Sequence, residues 1–142
     1  MPPPGAAKSF ARLWEAKMTK QPSLDQQRAA YAWQKVQALH PNIKSEYGKL
    51  AKGAPALIMN NGLMQTLAFY QDKKGDHYKE LNQHIIDWLW ERRPRRDEGV
   101  APTFALMMDE LVHEPDSYKY RKATEETLAL LRWIRQLAAI NQ

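Results

Sequence analysis

The side chains with the widest chemical range are four histidines, His40, His77, His84 and His113, in a chain with no cysteine. Lacking Cys, the chain has no disulfides, thiol chemistry or Cys-ligated metal. His77 and His84 stand seven residues apart. On a helix that spacing puts them on one side but two turns apart, whereas two ligands from one helix usually sit three or four apart. They read as solvated or core-edge residues. Asp109 and Glu110 are neighbours that point in different directions, so they are not a carboxylate pair. His113-Glu114, just before Pro115, reads as a helix end. No GxxxxGK, GxGxxG, HExxH or GxSxG motif is present. Nothing assembles an acid, a base and a nucleophile, so no catalytic residue, metal or cofactor is expected.

The remaining chemistry is basic. The formal charge is +5, a balance that suits a polyanion partner. Arg92, Arg93, Arg95 and Arg96 form the densest cluster, partly offset by Glu91, Asp97 and Glu98. Lys119, Arg121 and Lys122 lie beside Tyr118 and Tyr120, which either stack on bases or anchor a loop. Lys44, Lys49 and Lys52 form a third group, with Arg28 and Lys35 on the preceding helix. Such groups neutralise phosphates and hold a strand without reading its sequence. Each also suits a plain solvated face. The expected nucleic-acid-binding residues are Arg28, Lys35, Lys44, Lys49 and Lys52, with Arg132 and Arg135 as second choice. The 92–96 segment ranks lower, because Pro94 and the acidic neighbours suit a loop.

Helices must position these residues. The chain has 142 residues, 44% of them apolar, and five Trp, which fits one globular domain with a real core. No apolar run reaches the ~18–20 residues of a membrane span. The first residues lack the apolar centre of a signal peptide. With the absent Cys, this fits a cytoplasmic protein. Residues 1–22 read as an N-terminal arm with a possible short amphipathic helix. Phe10, Leu13, Trp14 and Met18 share one face of it with Lys17. That piece either caps the domain or is offered to a partner.

Residues 23–142 read as the helical domain. Ser23 and Gln26 have capping-box spacing, and Pro41 stops the first long helix. Its stripe is Ala29, Ala32, Trp33, Val36 and Leu39. A second helix is expected over 43–51, ended by Gly53, and a third over 55–70, begun by Pro55. Further helices carry Tyr78, Leu81, Ile85 and Trp88, then Phe104, Met107 and Leu111. Thr124 is expected to cap the last one, with Leu128, Leu131, Ile134 and Leu137 inward. No strand pattern of any length appears. The expected fold is all-α, a single compact bundle of six or seven helices. Trp33, Leu57, Leu67, Ile85, Trp88 and Leu131 are the expected core.

The 55–70 helix carries an anomaly, Asn60-Asn61-Gly62 at its middle. A mid-helix Gly costs about 1 kcal/mol relative to Ala. Two readings compensate for that cost. One is a tight helix–helix crossing at Gly62. The other is a contact of Asn60, Asn61, Gly62 and Gln65 with a partner chain or nucleic acid.

Here the residues resemble a known family. Ala54-Pro55-Ala56-Leu57-Ile58, followed by Asn61-Gly62-Leu63 and Gln65-Thr66-Leu67-Ala68-Phe69, is similar to the small helical subunit of Cmr complexes. These are the type III-B CRISPR effectors that target RNA. Support comes from Asp25-Gln26-Gln27-Arg28-Ala29-Ala30-Tyr31-Ala32, Tyr47-Gly48-Lys49-Leu50 and Leu128-Ala129-Leu130-Leu131-Arg132-Trp133-Ile134-Arg135. The likeness runs from about Leu24 onward. Residues 1–20 and the Arg-Arg-Pro-Arg-Arg segment are peculiar to this chain. The resemblance implies a structural, RNA-associated role, with cleavage left to other subunits. Copies of the subunit would stack into a short filament, and the target RNA would run beside it. The implied partners are other effector subunits, further copies of this chain and the target RNA backbone, with no membrane and no small-molecule substrate. The competing readings are a stand-alone basic nucleic-acid-binding or adaptor domain and an enzyme with a site built from distant residues.

Overall fold

The first long helix, α1 (Leu24–Gln37), starts on the reciprocal capping bonds that Ser23 and Gln26 predict. Gln26 N–H donates to Ser23 Oγ at 3.1 Å, and Ser23 N–H donates to Gln26 Oε1 at 2.7 Å. A computed structural model describes Arg12 and residues 21–93 and 99–140. Five more helices follow: α2 (Lys44–Asn61), α3 (Leu63–Asp72), α4 (Asp76–Arg92), α5 (Phe104–Val112) and α6 (Ser117–Ile140). No strand occurs among the described residues, and the fold is all-α.

The long α6 lies along both α1 and α2, and α4 packs on α2, α3 and α6. The short α5 bridges α3 and α4. The core forms where these faces meet. Leu67, Ile85, Trp88 and Leu131 are buried, as the helical spacing predicts. Leu57 is only half-buried and packs against the core's edge.

Three expectations are corrected. The first is the position of the break near Gly62. The helix expected to end at Gly53 instead continues through Gly53 and Pro55 to Asn61. Pro55 has no N–H, so the Ala51 carbonyl loses its helical donor. Burial of Tyr47, Ala51, Ala54 and Ile58 along one face outweighs that loss. The helix expected to run on through Gly62 breaks there. Gly62 sits at φ 89°, ψ 162°, a region essentially reserved for glycine. Its N–H donates to the Ile58 carbonyl at 2.7 Å, and its own carbonyl accepts from Thr66 N–H at 3.2 Å. One residue thus closes α2 and opens α3.

The second correction is Trp33, which is 47% exposed. The buried stripe of α1 is Ala32, Val36 and, just past its end, Leu39. Trp33 lies about 100° around the helix from Ala32, and that rotation carries it out to solvent. The third is Thr124. Helix α6 begins at Ser117, and Asp116 Oδ1 accepts the Tyr118 N–H at 2.9 Å near its start. Thr124 lies inside the helix, where its hydroxyl donates to the Tyr120 carbonyl at 3.3 Å.

Candidate nucleic-acid interface

Lys49 and Lys52 on α2 and Arg132 and Arg135 on α6 have the same three-residue spacing, which puts each pair on one helix face. Because α2 and α6 pack together, the two faces meet across a single open groove of about 460 Å³. Gly48 and Ala139 are small and leave it open, and Gln136 adds a neutral polar group. Among the described residues, four cations line the groove and no carboxylate does. Lys49 lies 3.8 Å from Glu46, with both side chains well exposed, a contact worth little in water. Lys52, Arg132 and Arg135 have no ion pair within 4 Å among the described residues. The groove therefore presents four charges at the spacing of two adjacent helices, of which Arg132 also acts on the Asp25 carboxylate. Such an array can neutralise phosphates along a strand.

The other expected cations lie elsewhere. Arg28 on α1 grips Glu126 on α6 through two bonds, Nε to Oε2 at 2.5 Å and Nη2 to Oε1 at 2.9 Å. It also reaches Asp25 at 3.3 Å. The indole N–H of Trp133 donates to that same Asp25 at 3.0 Å and holds its carboxyl below the usual range. Arg28 is committed to clamping α1 onto α6. Lys35 is half-buried, with Nζ 5.3 Å from the centre of the Tyr31 ring. Lys44 is half-buried at the start of α2 and does not line the groove. The sequence alone ranks the lysines and the α6 arginines as rival surfaces, and the structure makes them one. The paired spacings are visible in the sequence. That α2 and α6 are neighbours is not.

The dense arginine cluster also has a local use. Arg92 stacks on Trp88 with its guanidinium carbon 3.0 Å from the ring centre, and Arg93 stacks on Trp90 at 3.2 Å. Arg93 also lies 3.5 Å from Glu110. Residues 94–98, including Arg95 and Arg96, lie outside the described residues. Tyr120 is half-buried and accepts the free Met64 N–H at the start of α3 at 3.2 Å, which makes it an anchor. Tyr118 is exposed, flanked by Arg121 and Lys122.

At the Asn60-Asn61-Gly62 segment, Asn60, Asn61 and Gln65 are exposed. A Cβ at Gly62 would meet only the Tyr120 hydroxyl, at 3.8 Å, an ordinary contact. Glycine is needed there for its backbone angles, and no close helix crossing requires it. Of these amides, Asn61 Nδ2 donates to the Leu57 carbonyl at 3.4 Å.

His84, expected at most at the core edge, is buried. It faces Tyr47 rather than a second ligand. Among the described residues no three His, Asp or Glu side chains converge to hold a metal ion. No described helix is long and apolar enough to cross a membrane.

The fold is similar to a crystal structure of a CRISPR-associated Cmr5 family protein from Thermus thermophilus. The TM-score is 0.69 at 24% sequence identity, over 84% of this chain and 97% of that one. The family model for the CRISPR-associated protein Cas_Cmr5 matches residues 24–141, from the first residue of α1 to just beyond α6. With the match spanning every described helix, the chain belongs to the Cmr5 family, the small subunits of type III-B Cmr complexes.

Proposed function

We propose that this chain is a non-catalytic structural subunit of a CRISPR RNA-guided, RNA-targeting Cmr effector in the cytoplasm. Several copies stack into a filament, and the α2–α6 groove lies against the backbone of the target RNA. Family membership supports the association with other Cmr subunits. The observation that carries the RNA contact is the groove itself, with Lys49, Lys52, Arg132 and Arg135 and, among the described residues, no carboxylate in its lining. One groove holds few phosphates, so a single copy binds weakly. Stacked copies add their contacts along one strand, which multiplies affinity without new chemistry. The exposed Asn60, Asn61 and Gln65 supply donors and acceptors for the contact between neighbouring subunits.

Affinity purification of the tagged chain from cells that express the whole effector tests this reading. The expected result is recovery of the other effector subunits and guide RNA, with more than one copy of this chain per guide. Recovery of a single copy would remove the filament. Recovery of RNA without any effector subunit would favour a stand-alone binding domain.

A further inference from the structure

A second recess, of about 390 Å³, opens between the end of α4, α5 and the first turns of α6. Leu89, Met107 and Leu111, all buried, line it, and Tyr120 and Ala123 continue the apolar wall. The Tyr120 hydroxyl is already engaged with the Met64 N–H. Among the described residues, four cations and three carboxylates also line the recess. Most of these charges cancel locally. Arg28 holds Glu126, Arg93 lies against Glu110, and Lys122 lies 3.3 Å from Glu125. Arg92 and Lys119 remain, against Glu114 alone, and neither has a carboxylate within 4 Å among the described residues.

Arg92 is fixed in place before any ligand arrives. Its guanidinium stacks on Trp88, and Nη1 donates to the Trp88 carbonyl at 3.0 Å. Nε is buried without an acceptor, and Nη2 makes no hydrogen bond among the described residues. Burial lowers the Arg92 pKa, the sign of a cation that loses water without a counter-charge in contact. A half-buried cation in that condition gains from an anion beside it. Lys119 is exposed and supplies a second charge to the same recess. The surplus is one positive charge beside an apolar wall. That combination fits a ligand with one carboxylate next to an apolar side chain. An extended run of phosphates would instead bring further negative charge against Glu110 and Glu114. Lys119 and Arg132 are thirteen residues apart on α6, about 20 Å, so the recess and the basic groove are separate surfaces.

We propose that the recess is a docking site for a short acidic and apolar segment of a partner protein. An apolar side chain of that segment enters between Leu89, Met107 and Leu111, and a neighbouring carboxylate meets Arg92 and Lys119. The apolar contact supplies buried area, and the charge contact decides which segment fits. The site stands independently of the RNA contact proposed for the α2–α6 groove.

NMR titration of the full chain with capped tripeptides tests the proposal. One probe carries glutamate between two leucines, and the second carries glutamine in its place. Adenosine monophosphate is the third probe. The glutamate peptide should move the amide signals of Met107, Leu111, Tyr120 and Ala123 saturably, with an affinity on the order of millimolar. The glutamine peptide should bind about fivefold more weakly. Lys119→Glu should weaken the glutamate peptide by about fivefold and leave the glutamine peptide unchanged. Lys49→Ala with Lys52→Ala, in the groove, should change neither. Equal affinity for the two peptides would overturn the proposal and leave a plain apolar recess. Stronger shifts of the same amides by adenosine monophosphate would assign the recess to a nucleotide and overturn it too. So would the lack of a saturable shift with the glutamate peptide.

Discussion

Tyr47 on α2 and His84 on α4 meet inside the core, with the phenol oxygen 2.8 Å from His84 Nδ1. Both side chains are buried. Nε2 lies 3.4 Å from Glu80. The main-chain carbonyl of His84 accepts the Tyr31 hydroxyl at 2.6 Å. This arrangement ties α1, α2 and α4 together through one residue.

Burial, with Lys35 nearby, lowers the His84 pKa to about 4. The folded imidazole is therefore neutral near neutral pH, so its proximity to Glu80 is not an ion pair there. In the unfolded chain the same group takes up a proton at about pH 6.5. Its contribution to stability is therefore full above about 6.5 and is lost as pH falls toward about 4. The gap corresponds to about 3 kcal/mol at most. Denaturant unfolding of the wild type and His84→Gln across this window should show a shallower pH dependence in the variant. Parallel curves would mean that carboxylates alone set the acid sensitivity.

The groove predicts a specific salt dependence in the assembled effector. Removing one cation that neutralises a phosphate of a single strand lowers the salt slope of binding by about 0.7. Lys49→Ala with Lys52→Ala should lower the slope, and Arg132→Ala with Arg135→Ala should do the same, for every target sequence alike. An unchanged slope in both double variants, with assembly intact, would leave the groove as solvated surface.

Arg28→Ala should behave differently. It removes a clamp between α1 and α6 and leaves Glu126, whose side chain is 15% exposed, without its partner. The expected cost is about 1–3 kcal/mol of stability, with no change in the salt slope of RNA binding. A lowered slope at unchanged stability would return Arg28 to the RNA surface.

Gly62→Ala should destabilise by about 1–3 kcal/mol although there is room for the added methyl group. The cost lies in the backbone, since φ 89° with ψ 162° is strained for any residue with a Cβ. Thermal unfolding measures it. A neutral result would mean that the α2–α3 junction relaxes to other angles at no cost.

Two apolar residues expected in the core should now part company. Leu67, 1% exposed, should cost about 2–5 kcal/mol when changed to Ala. Trp33, 47% exposed, should cost within about 0.5 kcal/mol. Paired denaturant curves for the two variants check the difference directly.

The helical class, most helix starts and stops, and the inward positions of Leu67, Ile85, Trp88 and Leu131 were legible in the sequence. These depend on local rules: apolar spacing near 3.6 residues, caps such as Ser23 with Gln26, and stops such as Pro41. The basic side chains of the groove were legible one by one for the same reason. Other features depended on which helices become neighbours. Pro55 and Gly53 look like helix ends, yet burial of Ala51, Ala54 and Ile58 carries α2 past them. Trp33 continues the apolar stripe of α1, but the face that meets the rest of the fold is narrower than that stripe. Arg28 looks like a free cation until Glu126, 98 residues away, comes to meet it. Lys49 and Lys52 join Arg132 and Arg135 only because α2 packs along α6. Local spacing sets which side of its helix a residue takes. Only packing between helices distant in sequence decides what that side faces, because that choice is made by burial summed over the whole core.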